Sequence, residues 1–122
     1  MRSDFGKFLV HIRSQRGISA KWLSDTLGIS QVYMCDIEKG RRRISDELLP
    51  RLAELLLLTE NECCEMYDLA ALSKNTVSSD IADYIMQNDI VRKALRAAKK
   101  QEISDDLWHE FIRLISVQGD KK

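Results

Sequence analysis

The stretch from Ser24 to Arg43, SDTLGISQVYMCDIEKGRRR, places side chains that can read hydrogen-bonding edges beside side chains that hold anions. Advancing 100° per residue, a helix over Gln31–Lys39 carries Met34, Ile37 and Glu38 on one side and Val32, Asp36 and Lys39 on the other. Gln31 stands at its leading end, and Tyr33 and Cys35 flank the outer face. A short helix with an apolar inner stripe and a thinly polar outer face has the shape that enters a DNA major groove. Gly40 stops this helix, so Arg41, Arg42 and Arg43 fall on a loop at its far end, where phosphates flanking the groove would lie.

The elements that must position this helix are also helical. Ser3 is placed to cap a first helix whose Phe5, Phe8, Leu9 and Ile12 follow i, i+3, i+4, i+7 spacing and which ends at Gly17. Ser19 caps a second, about residues 20–27, with Trp22, Leu23 and Leu27 apolar and Gly28 at a left-handed terminus. Ser30 caps the third. Only Gly28-Ile29-Ser30 separates the second from the third, a tight turn with one apolar residue turned inward, and this forces a large crossing angle: a helix-turn-helix. No stretch alternates apolar and polar residues over a strand's length, so the fold class expected is all-α.

Composition narrows the function. The chain of 122 residues has a formal net charge of zero, but the charges are segregated. Residues 1–43 carry nine Lys or Arg against four acids, net +5; residues 44–72 are −6, and residues 73–122 are +1. The positive field therefore lies on the segment with the helix-turn-helix. The longest apolar run, Leu55 to Leu58, is far below the roughly 20 residues of a membrane span, and the N-terminus lacks an apolar signal core, so a soluble cytoplasmic protein with no membrane partner is expected. Cys35, Cys63 and Cys64 lack metal-ligand spacing and read as reduced packing residues; no metal or cofactor is expected. His11 and His109 stand alone as helix-surface residues, and without a phosphate loop, carboxylate pair or triad the chain does not read as an enzyme.

Arg13, Gly17, ISAKWLSDTLGIS from Ile18 to Ser30, and MCDIEKG from Met34 to Gly40 together resemble the phage repressor and Cro type of helix-turn-helix regulator, the XRE family. The resemblance covers about residues 5–72 and implies a five-helix lambda-repressor-like DNA-binding domain from a prokaryote or phage. It implies that Gln31, Val32 and Asp36 face base edges, while Ser30, Tyr33, Lys39, Arg41 and Arg43 face the backbone of double-stranded DNA. It also pairs Arg13 with Glu38. The helical position of Glu38, on the core side, independently calls for a partner. Ala20 stands where the family often has a phosphate-contacting glutamine, and Ser24, at the helix crossing in place of the usual alanine, needs a backbone carbonyl for its hydroxyl. Asp36 could accept from cytosine N4 or pair with Lys39 or Arg43.

The rest reads as support and extension. Ser45 or Asp46 caps a helix through Leu58, with Pro50 near its start and Leu48, Leu52, Leu55 and Leu56 inward; Thr59 and Glu62 form a capping box for a fifth helix with Cys63, Met66, Tyr67 and Ala70 at core spacing. The organisation expected is a DNA-binding domain over 1–72, a hinge over 73–79, a helical dimerisation or regulatory segment over 80–118 and a tail over 119–122. In that segment Ile81, Tyr84 and Ile85 make one apolar face, and Val91, Ala94, Leu95 and Ala98 another. Ser104 caps a last helix, with Ile103 and Trp108 spaced as a hydrophobic staple. Its apolar face, including Trp108, Phe111, Ile112 and Ile115, is too wide for one small neighbour and suggests a homodimer. The function expected is a dimeric repressor on a pseudo-palindromic operator; the alternatives are a DNA-binding antitoxin holding a protein partner through residues 80–118, and a protein-binding adaptor.

Overall fold

The computed structural model describes residues 4–120, with side chains to residue 117. The described residues are all-helical: α1 (Asp4–Gln15), α2 (Ala20–Leu27), α3 (Gln31–Lys39), a 3-10 turn (Asp46–Leu48), α4 (Leu49–Leu55), α5 (Glu60–Ser73), α6 (Ser79–Gln87), α7 (Asp89–Gln101) and α8 (Asp105–Asp120). They divide into two compact units, one ending at Asp83 and one beginning at Tyr84. Ser3, expected as the first cap, lies outside the described residues, as do residues 121 and 122 of the expected tail.

In the first unit the core draws Phe5, Leu9 and Ile12 from α1, Leu23 from α2, Met34 and Ile37 from α3, Leu52 from α4 and Met66 from α5. α1 packs on α3 and α5, while α2 packs on α3 and α4. Local chemistry sets the helix ends. The Ser19 hydroxyl accepts from the Trp22 N–H at 3.0 Å and the Ser30 hydroxyl from the Tyr33 N–H at 3.0 Å. Gly28 and Gly40 end α2 and α3 at φ 77° and 78°, a left-handed conformation in which a side chain would be strained. Ser24 is fully buried, and its hydroxyl donates to the Lys21 carbonyl at 3.0 Å. Thr59 and Glu62 close a reciprocal capping box on α5. The Thr59 backbone N–H, assisted by Arg16 at 2.7 Å, holds the Glu62 carboxyl below its ordinary pKa.

α1 and α3 approach each other closely. A Cβ built on Gly6 would stand 2.1 Å from the Glu38 carbonyl oxygen, so the two helices meet where only hydrogen fits. Two turns along α1, Arg13 Nε donates to Glu38 Oε2 at 3.0 Å, Nη2 reaches Oε1 at 3.5 Å, and Nη1 donates to the Ile18 carbonyl at 3.3 Å. The pair is largely out of water, with side chains 18% and 13% exposed.

Several expectations require correction. The fourth helix does not run through Leu58: it begins as a 3-10 turn and ends at Leu55, because Leu57 turns left-handed at φ 55° and Leu58 N–H closes back on the Ala53 carbonyl. That geometry buries Leu49, Leu52 and Leu56 fully, while Leu48 and Leu55 pack against the core partly buried. Cys64 is exposed, not packed, while Cys35 and Cys63 are partly buried. Between α5 and α6, residues 74–78 form a tight turn with Lys74 Nζ 2.7 Å from Asp46 and Ser78 buried, and the two compact units divide within α6. α8 continues through residues 119 and 120, where a tail was expected.

In the second unit Asn88 separates α6 from α7, and Glu102 turns left-handed at φ 49° to end α7. Ser104 caps α8 by accepting from the Leu107 N–H at 3.3 Å. Trp108 and Phe111 meet edge to face, centroids 6.0 Å apart.

Two stability changes follow. Gly6→Ala should lower the unfolding free energy by roughly 1–3 kcal/mol despite alanine's helix preference of about 1 kcal/mol, because the obstructing atom is backbone; denaturant titration reads this. Glu38→Ala should cost up to roughly 3–5 kcal/mol by leaving the Arg13 guanidinium largely buried without its counter-charge, and replacing both residues with apolar ones should recover part of that stability.

Candidate nucleic-acid interface

Gln31 and Val32 are exposed at the leading end of α3, Val32 at 70%, and neither contributes to the core. Met34 and Ile37, at 2% and 1% exposure, fix the opposite side of the helix and so determine which way that face points. Ser30 is exposed; its hydroxyl oxygen accepts the capping bond and keeps its proton to donate outward. Lys39 is exposed at the other end, next to Gly40.

Asp36 is held partly inside. Its side chain is 21% exposed, and its carboxylate lies 3.9 Å from Arg41 Nη1, so its nearest cation is Arg41 and neither Lys39 nor Arg43. The reason is the turn after Gly40, where the N–H groups of Arg41 and Arg42 donate to the Asp36 carbonyl at 2.8 and 3.3 Å and fold Arg41 back along the helix. The Arg41 side chain remains 67% exposed.

Tyr33 organises the basic loop. Its hydroxyl donates to the Arg43 carbonyl at 3.2 Å and accepts from the Ser45 N–H at 3.1 Å, while the Arg42 guanidinium lies 4.6 Å from its ring centroid. The single phenolic proton is therefore committed within the protein. Ile44, 3% exposed, anchors the end of the loop in the core. Arg41, Arg42 and Arg43 are all exposed on a segment held at both ends. Sequence periodicity does not reveal this brace, since Tyr33 meets partners 10 and 12 residues away across a loop. The close approach at Gly6 left one signal, a glycine inside an apolar helical pattern.

Arg13 and Glu38 meet behind α3, away from its outer face. Trp108, Phe111, Ile112 and Ile115 lie on α8 in the second unit: Trp108 is partly buried, and the other three are at least half exposed. His11 and His109 are exposed, and no cluster of His, Cys, Asp or Glu suited to a metal occurs among the described residues. No helix among them is long and apolar enough to cross a membrane.

A cyanate hydratase of Aquifex aeolicus (strain VF5) is 37% identical over 71 residues, which are 56% of this chain and 48% of that protein. The chain thus spans about half the length of the curated relative it matches. No solved structure matches it. Residues 4–64, from α1 into α5, match the family described as "Helix-turn-helix domain". The chain belongs to that helix-turn-helix domain family.

Proposed function

We propose that this chain is a sequence-specific regulator of transcription that binds double-stranded DNA through α3 and represses, as a homodimer, at a pseudo-palindromic operator. Membership of the helix-turn-helix domain family supports duplex binding. The observation that carries the finer reading is the exposure of Gln31 and Val32 at the leading end of a helix whose other side is locked into the core, followed at once by exposed arginines on a braced loop.

In this reading Gln31 bonds adenine N6 and N7, Val32 packs on a thymine methyl and Asp36 accepts from cytosine N4 once Arg41 turns to a phosphate. Ser30, Lys39, Arg41 and Arg43 contact the backbone and set register. Tyr33 acts on the backbone indirectly, by shaping the loop that presents the arginines. One short helix reads few base pairs; a dimer would set two of them about 34 Å apart on successive turns, and Trp108, Phe111, Ile112 and Ile115 are the side chains assigned to that association. Occlusion of the site by such a dimer would give repression. The reading places the protein in a prokaryotic cytoplasm, with no cofactor. The partial likeness to a cyanate hydratase is taken as shared helical architecture, not shared reaction.

Replacing Arg41 and Arg43 with Ala should weaken binding to all duplexes alike and reduce the slope of log affinity against log salt by roughly 0.9 for each phosphate no longer neutralised. An unchanged slope would remove both residues from the interface. Substituting Gln31 and Val32 should instead change which sequences are selected from a random pool, by about 1–3 kcal/mol at the contacted base pairs. Retention of the same preferred sequence would refute this placement of α3.

A further inference from the structure

We infer that α7 and α8 form a dimerisation module whose core is completed by the same two helices of a second copy, the partner's α8 seating in the groove between them. The inference rests on the dimeric part of the proposed function and not on its DNA contacts. Among residues 84–117 no side chain is buried. α7 and α8 do not pack along their length; they leave a groove of about 790 Å³ lined from both sides, by Ala94, Leu95 and Ala98 on α7 and by Leu107, Phe111 and Ile115 on α8. Leu95, Leu107, Phe111 and Ile115 are 40%, 53%, 50% and 54% exposed. A helical segment of only about 40 residues is too small to bury a stabilising core by itself.

Charge identifies the occupant. Lys93 and Lys100, seven residues apart, form an exposed basic stripe beside the lining face of α7. Asp106 and Glu110, four apart, form an exposed acidic edge along α8 that Arg113 closes at its far end, with Glu110 at the groove itself. Among the described residues no ion pair joins α7 to α8; Glu110 pairs with Arg113 of its own helix. A foreign helix of either sign would satisfy one rim and oppose the other. A second copy brings its acidic α8 to this basic α7, and twofold symmetry repeats the contact.

The test uses the full chain without DNA, in sedimentation over a concentration series. The unmodified chain should dimerise. Lys93→Glu with Lys100→Glu, and separately Asp106→Lys with Glu110→Lys, should each weaken dimerisation by roughly tenfold or more, since attraction becomes repulsion at both symmetric contacts. Mixing the two variants should restore a heterodimer, because the one reversed α7 then meets the one reversed α8 while the unmodified α7 and α8 meet at the second contact. A chain that had failed to fold could not be rescued by an equally defective one, so the mixture controls for misfolding. A monomeric parent chain at tens of micromolar, charge reversals without effect, or a mixture no stronger than its components would each overturn the inference. Binding of the variants to a single half-site reads the DNA contacts separately: its loss would count against the role of α3, not against the module.

Discussion

The first unit depends on the near-contact of two backbones. At Gly6 the α1 helix runs so close to the end of α3 that no Cβ can stand between it and the Glu38 carbonyl. Close approach brings the Arg13 guanidinium within reach of the Glu38 carboxylate, and the ion pair in turn resists sliding or rotation of α3. A buried ion pair contributes little net stability against an apolar alternative, but its hydrogen bonds have direction. Its value here is register: with Met34 and Ile37 packed inward, the outer face of α3 has one orientation.

From that fixed helix the loop inherits its shape. Gly40 turns the chain, Tyr33 catches it at Arg43 and Ser45, and Ile44 pins it into the core. Three neighbouring like charges would otherwise repel and sample many conformations. Holding their backbone in advance lowers the entropy lost when an anion is bound. The partly screened Asp36 carboxylate lies beside Arg41, and this contact ties the charge of the loop to the chemistry of the helix face.

The second unit presents the opposite balance of forces. Its helix ends are well specified, by the left-handed turn at Glu102 and the Ser104 cap, yet none of its described side chains reaches the low exposure of Leu9 or Met66 in the first unit. Local order has been encoded there without a closed core. Such an arrangement requires burial against something else, and rims of opposite sign on two neighbouring helices that no ion pair joins favour a surface that is complementary to itself.

Much of this was legible in the sequence because it is local. Serines at 19, 30 and 104, glycines at 17, 28 and 40, the Thr59–Glu62 capping box and the helical period of Phe5, Leu9 and Ile12 each act within a turn or two of chain, so residue types alone determine all-α elements and the helix-turn-helix. The inward face of α3 followed for the same reason. What sequence could not decide involves distance in space. The early end of α4 depends on Leu57 accepting a left-handed conformation that its type disfavours, the exposure of Trp22 and Cys64 depends on which neighbours arrive, and the 74–78 turn is tied down by Asp46, which is 28 residues from Lys74. Tyr33 is committed to the loop only because folding brings a carbonyl and an N–H to its hydroxyl. One-dimensional order determines which helices form and where they stop; only packing decides which of their polar groups remain available to a partner.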